Sequence, residues 1–81
     1  MKKASREYLI QAFWDEEASV WVAQSDDVPG LITEARTFEA LLKKLRTMVP
    51  ELLEPNGVST GCGGKVRYRV LAERCESAHA A

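Results

Sequence analysis

Four segments of this chain have the pattern of β-strands, since residues 6–14 and 65–73 alternate with a period of two, residues 31–36 do so less regularly, and residues 19–24 form a short apolar run. In the first segment, Leu9 and Phe13 lie on the opposite side of the strand from Tyr8 and Ile10. The second segment is rich in Val and Trp and contains Trp21. The four predicted strands cover residues 6–14, 19–24, 31–36 and 65–73.

The segment between the third and fourth strands has apolar residues spaced by three and four, which is typical of an amphipathic helix. These positions are Phe38, Leu41, Leu42, Leu45, Met48, Val49, Leu52 and Leu53. Thr37 is a favourable N-cap, so we expect the helix to begin at residue 38. Pro50 lacks an N–H and clashes with the carbonyl four residues earlier. We therefore expect the regular helix to kink or end near Val49, with one further turn at residues 51–53.

Turn-forming residues separate the strands. A polar hairpin loop is predicted at Asp15, Glu16 and Glu17, and a second turn is predicted at residues 25–30. In the second turn, Pro29 fixes φ and Gly30 is free to take a positive φ, as a type II turn requires. The acidic pair Asp26 and Asp27 falls in the same turn. Paired carboxylates can bind Mg²⁺ or act as acids and bases, but turns also recruit Asp for its local hydrogen bonds, which is the commoner role.

The order of elements is βββαβ, which predicts an α+β fold with three antiparallel strands and a helical crossover to a fourth strand parallel to the first. The right-handed crossover rule favours the strand order 3-2-1-4. A single helix covers one face of such a sheet, so Leu9, Phe13 and Leu71 are expected on the uncovered face. Exposed apolar patches on small domains mark interfaces, so we expect a protein partner and a homodimer.

A chain of 81 residues has room for one small domain, which we place at residues 6–74. Residues 1–5, the Gly-rich loop 54–64 and the tail 75–81 are predicted to be flexible. Eleven basic and 12 acidic side chains give a net charge of −1, so no large field of one sign favours nucleic acid or an anionic membrane. The two cysteines are too few for a disulfide framework, and no apolar run suits a signal peptide or membrane span. We expect a cytoplasmic protein.

Catalytic and metal-binding patterns are weak. The one histidine, His79, lies in the predicted tail, so a nucleophilic triad is not expected and we predict no enzyme activity. Cys62, Cys75 and His79 lack the close ligand pair of a structural zinc site, so we expect no metal and no cofactor.

A basic strip on the fourth strand offers an alternative function. Basic side chains beside an aromatic ring suit direct RNA or DNA binding, although the balanced overall charge weighs against it. The strip consists of Lys65, Arg67, Tyr68 and Arg69. A third alternative is a structural domain that dimerises and has no other partner.

Three motifs follow one another in the middle of the chain. They are the turn Asp27-Val28-Pro29-Gly30, the helix start Thr37-Phe38-Glu39 and the helix end Val49-Pro50-Glu51-Leu52-Leu53. Together with Trp21-Val22-Ala23 and Thr33-Glu34-Ala35, this pattern resembles the HicB-like antitoxin family, in particular a short subgroup of uncharacterised HicB-like proteins. The resemblance covers about residues 6–74.

The resemblance implies a partial ribonuclease H-like fold without ribonuclease activity. It also implies an antitoxin that binds a small basic HicA-type ribonuclease toxin and covers the toxin's active site. HicB antitoxins usually carry a carboxy-terminal DNA-binding segment, and only residues 75–81 follow the fourth strand here, so we expect protein binding without operator binding. The expected partner-binding residues are Leu9, Phe13, Asp15, Glu16, Glu17, Asp26 and Asp27. Trp21, Pro29, Gly30, Thr37 and Pro50 are expected to form the fold.

Overall fold

A computed structural model describes residues 7–53 and 66–80 of the protein. The elements are β1 (Glu7–Asp15), β2 (Val20–Gln24), β3 (Ile32–Ala35), α1 (Phe38–Leu53) and β4 (Arg67–Glu73). They form one four-stranded sheet of order β3-β2-β1-β4, in which β1 is antiparallel to β2 and parallel to β4. The predicted α+β class, the βββαβ order and the strand order are confirmed.

The strand limits differ from the predicted ones by at most two residues. The third strand begins one residue later than predicted, because Leu31 belongs to the preceding turn, where its N–H donates to the Val28 carbonyl at 3.1 Å. Residues 74–80 form no helix or strand and are exposed. The predicted flexible segments 1–5 and 54–64 lie outside the described residues.

One face of the sheet packs against α1 and holds the core. The sheet side of this core consists of Tyr8, Ile10, Ala12, Ala23 and Ala35, all of them buried. The helix side consists of Leu41, Leu45, Val49 and Leu53. Alanines on three neighbouring strands lack bulk, so the long helical side chains fill the space between the two layers.

The helix begins as predicted but does not end near Val49. The Ala40 N–H donates to Thr37 Oγ1 at 3.0 Å, which confirms the N-cap. The helix continues through Pro50 to Leu53, which is only 1% exposed. Burying one leucine contributes about 1.5–3 kcal/mol, which is comparable to the roughly 3 kcal/mol that a proline costs in a helix interior. The core therefore holds the last turn in place.

Both predicted turns are formed by local backbone geometry. Gly30 has φ of 84°, and the bond from Leu31 to Val28 closes a turn with Pro29 and Gly30 at its centre, as a type II turn requires. In the β1–β2 hairpin, the Ser19 N–H donates to the Asp15 carbonyl at 2.8 Å, and Ser19 itself has φ of 56°.

Candidate functional site

The candidate site is the face of the sheet opposite α1, which we call the open face. Two rows of paired residues run across its centre from β3 to β4. The first row is Ile32, Gln24, Gln11 and Leu71. The second row is Glu34, Val22, Phe13 and Glu73. On the other side of the first row, Leu9 pairs with Arg69.

The open face exposes large apolar side chains that the core does not use. Phe13 is 39% exposed, Leu71 51% and Ile32 68%, and they are the three exposed large hydrophobic residues of the described chain. Leu9 is half-buried on the same face. The predicted placement of Leu9, Phe13 and Leu71 on the uncovered face is confirmed. Sequence reasoning missed Ile32, because its side of the strand follows only from its pairing with Gln24.

A shallow depression lies at the centre of the open face. Its lining includes Gln11, Gln24, Phe13, Leu71 and Glu73. Two amide side chains therefore lie between an aromatic ring and a leucine, with a carboxylate beside them. Such a mixture of apolar and polar groups is typical of a protein interface rather than of an enclosed small-molecule pocket.

The turn after β2 completes hydrogen bonding at Leu9. The Leu9 N–H donates to Asp27 Oδ2 at 2.8 Å, and Ser25 Oγ donates to the Leu9 carbonyl at 2.5 Å. Ser25 Oγ also accepts from the N–H groups of Asp27 and Val28. Because β2 ends at Gln24, these two side chains replace the backbone partners that another strand residue would have provided. Asp27 therefore supports the fold, whereas Asp26 is exposed.

The acidic hairpin loop lies at the other end of β2. Asp15 Oδ1 accepts from the Ala18 N–H at 3.2 Å, and Glu16 Oε1 accepts from Trp14 Nε1 at 3.0 Å. Glu17 is exposed. The five residues of β2 separate this loop from Asp27 by about 17 Å, so the two acidic turns do not form one cluster.

The basic strip is divided between the two faces of the sheet. Arg67 and Arg69 lie on the open face, where both contact the carboxylate of Glu7, at 3.5 Å and 2.9 Å. Tyr68 lies on the helix side and packs against the core, because neighbouring side chains of a strand point in opposite directions. Lys65 lies outside the described residues. The predicted combination of an aromatic ring with the arginines is therefore not present on one surface.

A cluster of aromatic side chains lies on the helix side of the sheet, near the β1–β2 hairpin. Trp21 lies 5.7 Å from Trp14 and 5.2 Å from Phe38 between ring centroids, and both pairs meet edge to face. The guanidinium carbon of Arg74 lies 4.1 Å from the centroid of Trp14. These contacts agree with the predicted fold-forming role of Trp21, and Arg74 holds the start of the exposed segment 74–80 against the sheet.

Other chemistry has little basis in the described residues. Within residues 7–53 and 66–80, no three His, Cys, Asp or Glu side chains are placed to hold a metal ion. Cys75 is an exposed free thiol, and Cys62 lies outside these ranges. In the same part of the chain, no buried side-chain nitrogen or oxygen lacks a hydrogen-bond partner, and no helix has the length and apolar character needed to cross a membrane.

The fold and the open face define a small α+β domain with one helix-covered and one uncovered sheet face. The family model for DUF1902, a domain of unknown function, matches residues 7–80, and the chain belongs to this family. A solved structure, the hypothetical protein TTHA1013 from the extremely thermophilic bacterium Thermus thermophilus, is 51% identical to the chain with a TM-score of 0.67. The match covers 93% of this chain and 100% of that one. No curated protein matches.

Proposed function

We propose that this protein is a non-enzymatic protein-binding module with an antitoxin-like role. The observation that carries the proposal is the exposure of Phe13, Ile32 and Leu71 on one sheet face. Burying a large apolar side chain contributes about 1.5–3 kcal/mol when it starts fully exposed, so three partly exposed ones supply a useful share of a binding free energy. Their position on a regular sheet also keeps the surface ordered before a partner arrives.

The proposed partner class is a small basic ribonuclease of the HicA type. The motifs that resemble HicB-like antitoxins support this choice. Exposed carboxylates at Glu17 and Asp26 support it as well, because acidic groups attract a basic surface during diffusional encounter. We propose that the protein acts in the cytoplasm by covering the active site of the toxin, without a cofactor or chemistry of its own.

Co-expression with a small basic toxin of this class tests the role. We expect a stoichiometric complex on gel filtration and rescue of growth. Glu17→Lys should lower the association rate about threefold to tenfold at low salt, because it removes attraction to the basic partner. Glu51→Lys, an exposed change on the helix, is the matched control and should have little effect. The absence of both the complex and the rescue contradicts the antitoxin role.

Direct RNA or DNA binding through the strip of Lys65, Arg67, Tyr68 and Arg69 is the alternative function, in which the open face presents Arg67 and Arg69 while Tyr68 packs on the helix side. The two arginine side chains are 71% and 62% exposed, which keeps them within reach of a phosphate backbone, although Glu7 offsets part of their charge. This alternative predicts binding that weakens with salt and a shallower salt slope in Arg67→Ala. A domain that only dimerises predicts neither nucleic-acid binding nor a toxin complex.

A further inference from the structure

We infer that β4 pairs edge to edge with β4 of a second copy of this chain, antiparallel, about a two-fold axis that passes through the sheet at Val70. The two four-stranded sheets then form one continuous sheet, with both helices on the same side of it. The inference goes beyond the proposed function and does not compete with it. Pairing of this kind uses the edge of the sheet and leaves the open face of each copy accessible to another partner.

The two edges of the sheet differ in how ready they are to accept another strand. At one edge, β3 has only four residues, and Lys44 Nζ donates to the Glu34 carbonyl at 2.6 Å. At the other edge, β4 has seven residues, and within residues 7–53 and 66–80 no strand pairs with its outer side. A long edge with free backbone groups pairs readily, whereas a short edge with a lysine on it is protected. The favoured edge is therefore β4.

The helix side of β4 has room for a second copy. The helix lies over β2 and β3, so it does not obstruct a strand placed beside β4. Tyr68 and Val70 point to the helix side and are only half-buried there, and Ala72 is exposed. In the paired arrangement Val70 meets Val70 of the second copy, and Tyr68 lies opposite Ala72 of the second copy. Apolar side chains therefore meet apolar side chains along this side of the contact.

The other side of β4 carries opposite charges at its two ends. An axis at Val70 places Arg67 opposite Glu73 of the second copy, and the symmetry produces this ion pair twice. Within the described part of the chain, the Glu73 carboxylate has no ion pair, and the only one of Arg67 is with Glu7 at 3.5 Å. Pairing with a second copy therefore supplies the missing cation for Glu73.

Charge and length also select this register. An axis moved to Arg69 would set two Arg69 side chains directly opposite each other, and an axis moved to Leu71 would leave Arg67 outside the pairing. With the axis at Val70, Arg69 lies opposite Leu71 of the second copy, which can cover its aliphatic stem. The two Arg69 side chains are then diagonal neighbours, and each is already bound by its own Glu7 at 2.9 Å. All seven residues of β4 are paired in this register.

The backbone supplies most of the specificity of this small contact. Alternate residues of an edge strand direct both their N–H and their C=O groups outward, so two copies of β4 can form about six to eight hydrogen bonds over roughly 20 Å. Strand addition of this kind fixes direction and register through the main chain. The contact lies at the small, transient end of the protein–protein range. We therefore expect a reversible dimer with a dissociation constant in roughly the micromolar range.

Analytical ultracentrifugation of the full chain over about 1–500 μM tests the inference, since that range brackets the expected equilibrium. Arg67→Glu and Glu73→Arg, both at exposed positions, should each raise the dissociation constant about tenfold or more, because each sets like charges opposite each other twice. An equimolar mixture of the two variants should dimerise about as well as the wild type, because both ion pairs form again between unlike copies. Glu34→Arg, an exposed change on β3, is the matched control and should leave the equilibrium unchanged.

Amide hydrogen exchange gives a second readout that needs no variant. We expect every second amide of β4 to exchange more slowly at high than at low protein concentration, while the amides of β3 do not change. Circular dichroism checks that each charge variant is folded. A wild-type chain that stays monomeric, a mixture of variants that fails to associate, or β4 amides that exchange equally fast at both concentrations each overturn the inference.

The wild-type chain separates this inference from the antitoxin role. A monomer that still binds the basic toxin refutes the dimer and supports the proposed function. A dimer with the expected exchange pattern, but without a toxin complex, supports the inference and refutes the antitoxin role.

Discussion

The two faces of this sheet use apolar residues in opposite ways. In β1, Ala12 is 2% exposed beneath the helix, whereas the next residue, Phe13, is 39% exposed on the open face. The covered face carries three small alanines because the long side chains of α1 fill the space above them. The open face carries Phe13, Ile32 and Leu71, which nothing in the described chain covers. Whether an apolar residue belongs to the core therefore depends on which side of its strand it occupies and on whether the helix covers that side.

The largest expected effect is the difference in stability loss between a Leu→Ala substitution in the core and one on the open face. Leu45→Ala removes a helix side chain that is fully buried between α1 and the sheet and should lower the free energy of unfolding by about 2–5 kcal/mol. Leu71→Ala removes one that is half-exposed and should cost less than about 1 kcal/mol in the monomer. Urea unfolding followed by tryptophan fluorescence measures both, at the lowest protein concentration that gives a signal.

Equal costs for the two leucine variants at low concentration would contradict the distinction between the faces.

A smaller effect is expected where a side chain completes the edge of the open face. Asp27→Ala removes the acceptor of the Leu9 N–H and should cost about 1–3 kcal/mol, since the amide lies in a half-buried strand. Asp27→Asn keeps an acceptor oxygen and should cost less. Asp26→Ala is the control, because Asp26 is exposed. Amide hydrogen exchange at Leu9 should accelerate in Asp27→Ala alone, and unchanged exchange there would argue against the bond.

The smallest effect is expected at the ion pairs of the open face. Glu7→Gln removes the carboxylate shared by Arg67 and Arg69 and should cost about 0.2–1 kcal/mol, because all three side chains are in contact with water. The loss should shrink at high salt, which screens exposed charges. Chemical unfolding at low and high salt checks this, with Glu17→Gln as the control. A loss as large as that of Leu45→Ala would mean that the open face carries part of the core's stability.

Most of the fold follows from the sequence. The period of two, the helical period after Thr37 and the turn at Pro29 and Gly30 predict the order of elements, because each depends on neighbouring residues. The crossover rule then predicts the strand order. The sequence predicts a kink or an end near Val49 and a further turn at residues 51–53, and the structure joins this turn to the helix, which runs to the buried Leu53.

The candidate site is predictable in part. The positions of Leu9 and Phe13 on the open face follow from the alternation in the first strand. The position of Ile32 does not, because Leu31 and Ile32 are both apolar, and only strand pairing shows that Leu31 belongs to the turn and Ile32 to the strand. The acidic turns look alike in the sequence. Only the structure shows that Asp27 bonds a strand backbone while Glu17 and Asp26 remain exposed.

The sequence by itself determines the elements, their order and the two sides of each strand, because these depend on short-range periodicity and turn chemistry. The tertiary structure decides which side the helix covers and which residues of different strands share a row. It also joins Arg69 to Glu7. These features depend on strand pairing between distant segments, and a shift of one residue in that pairing would move every side chain to the other face.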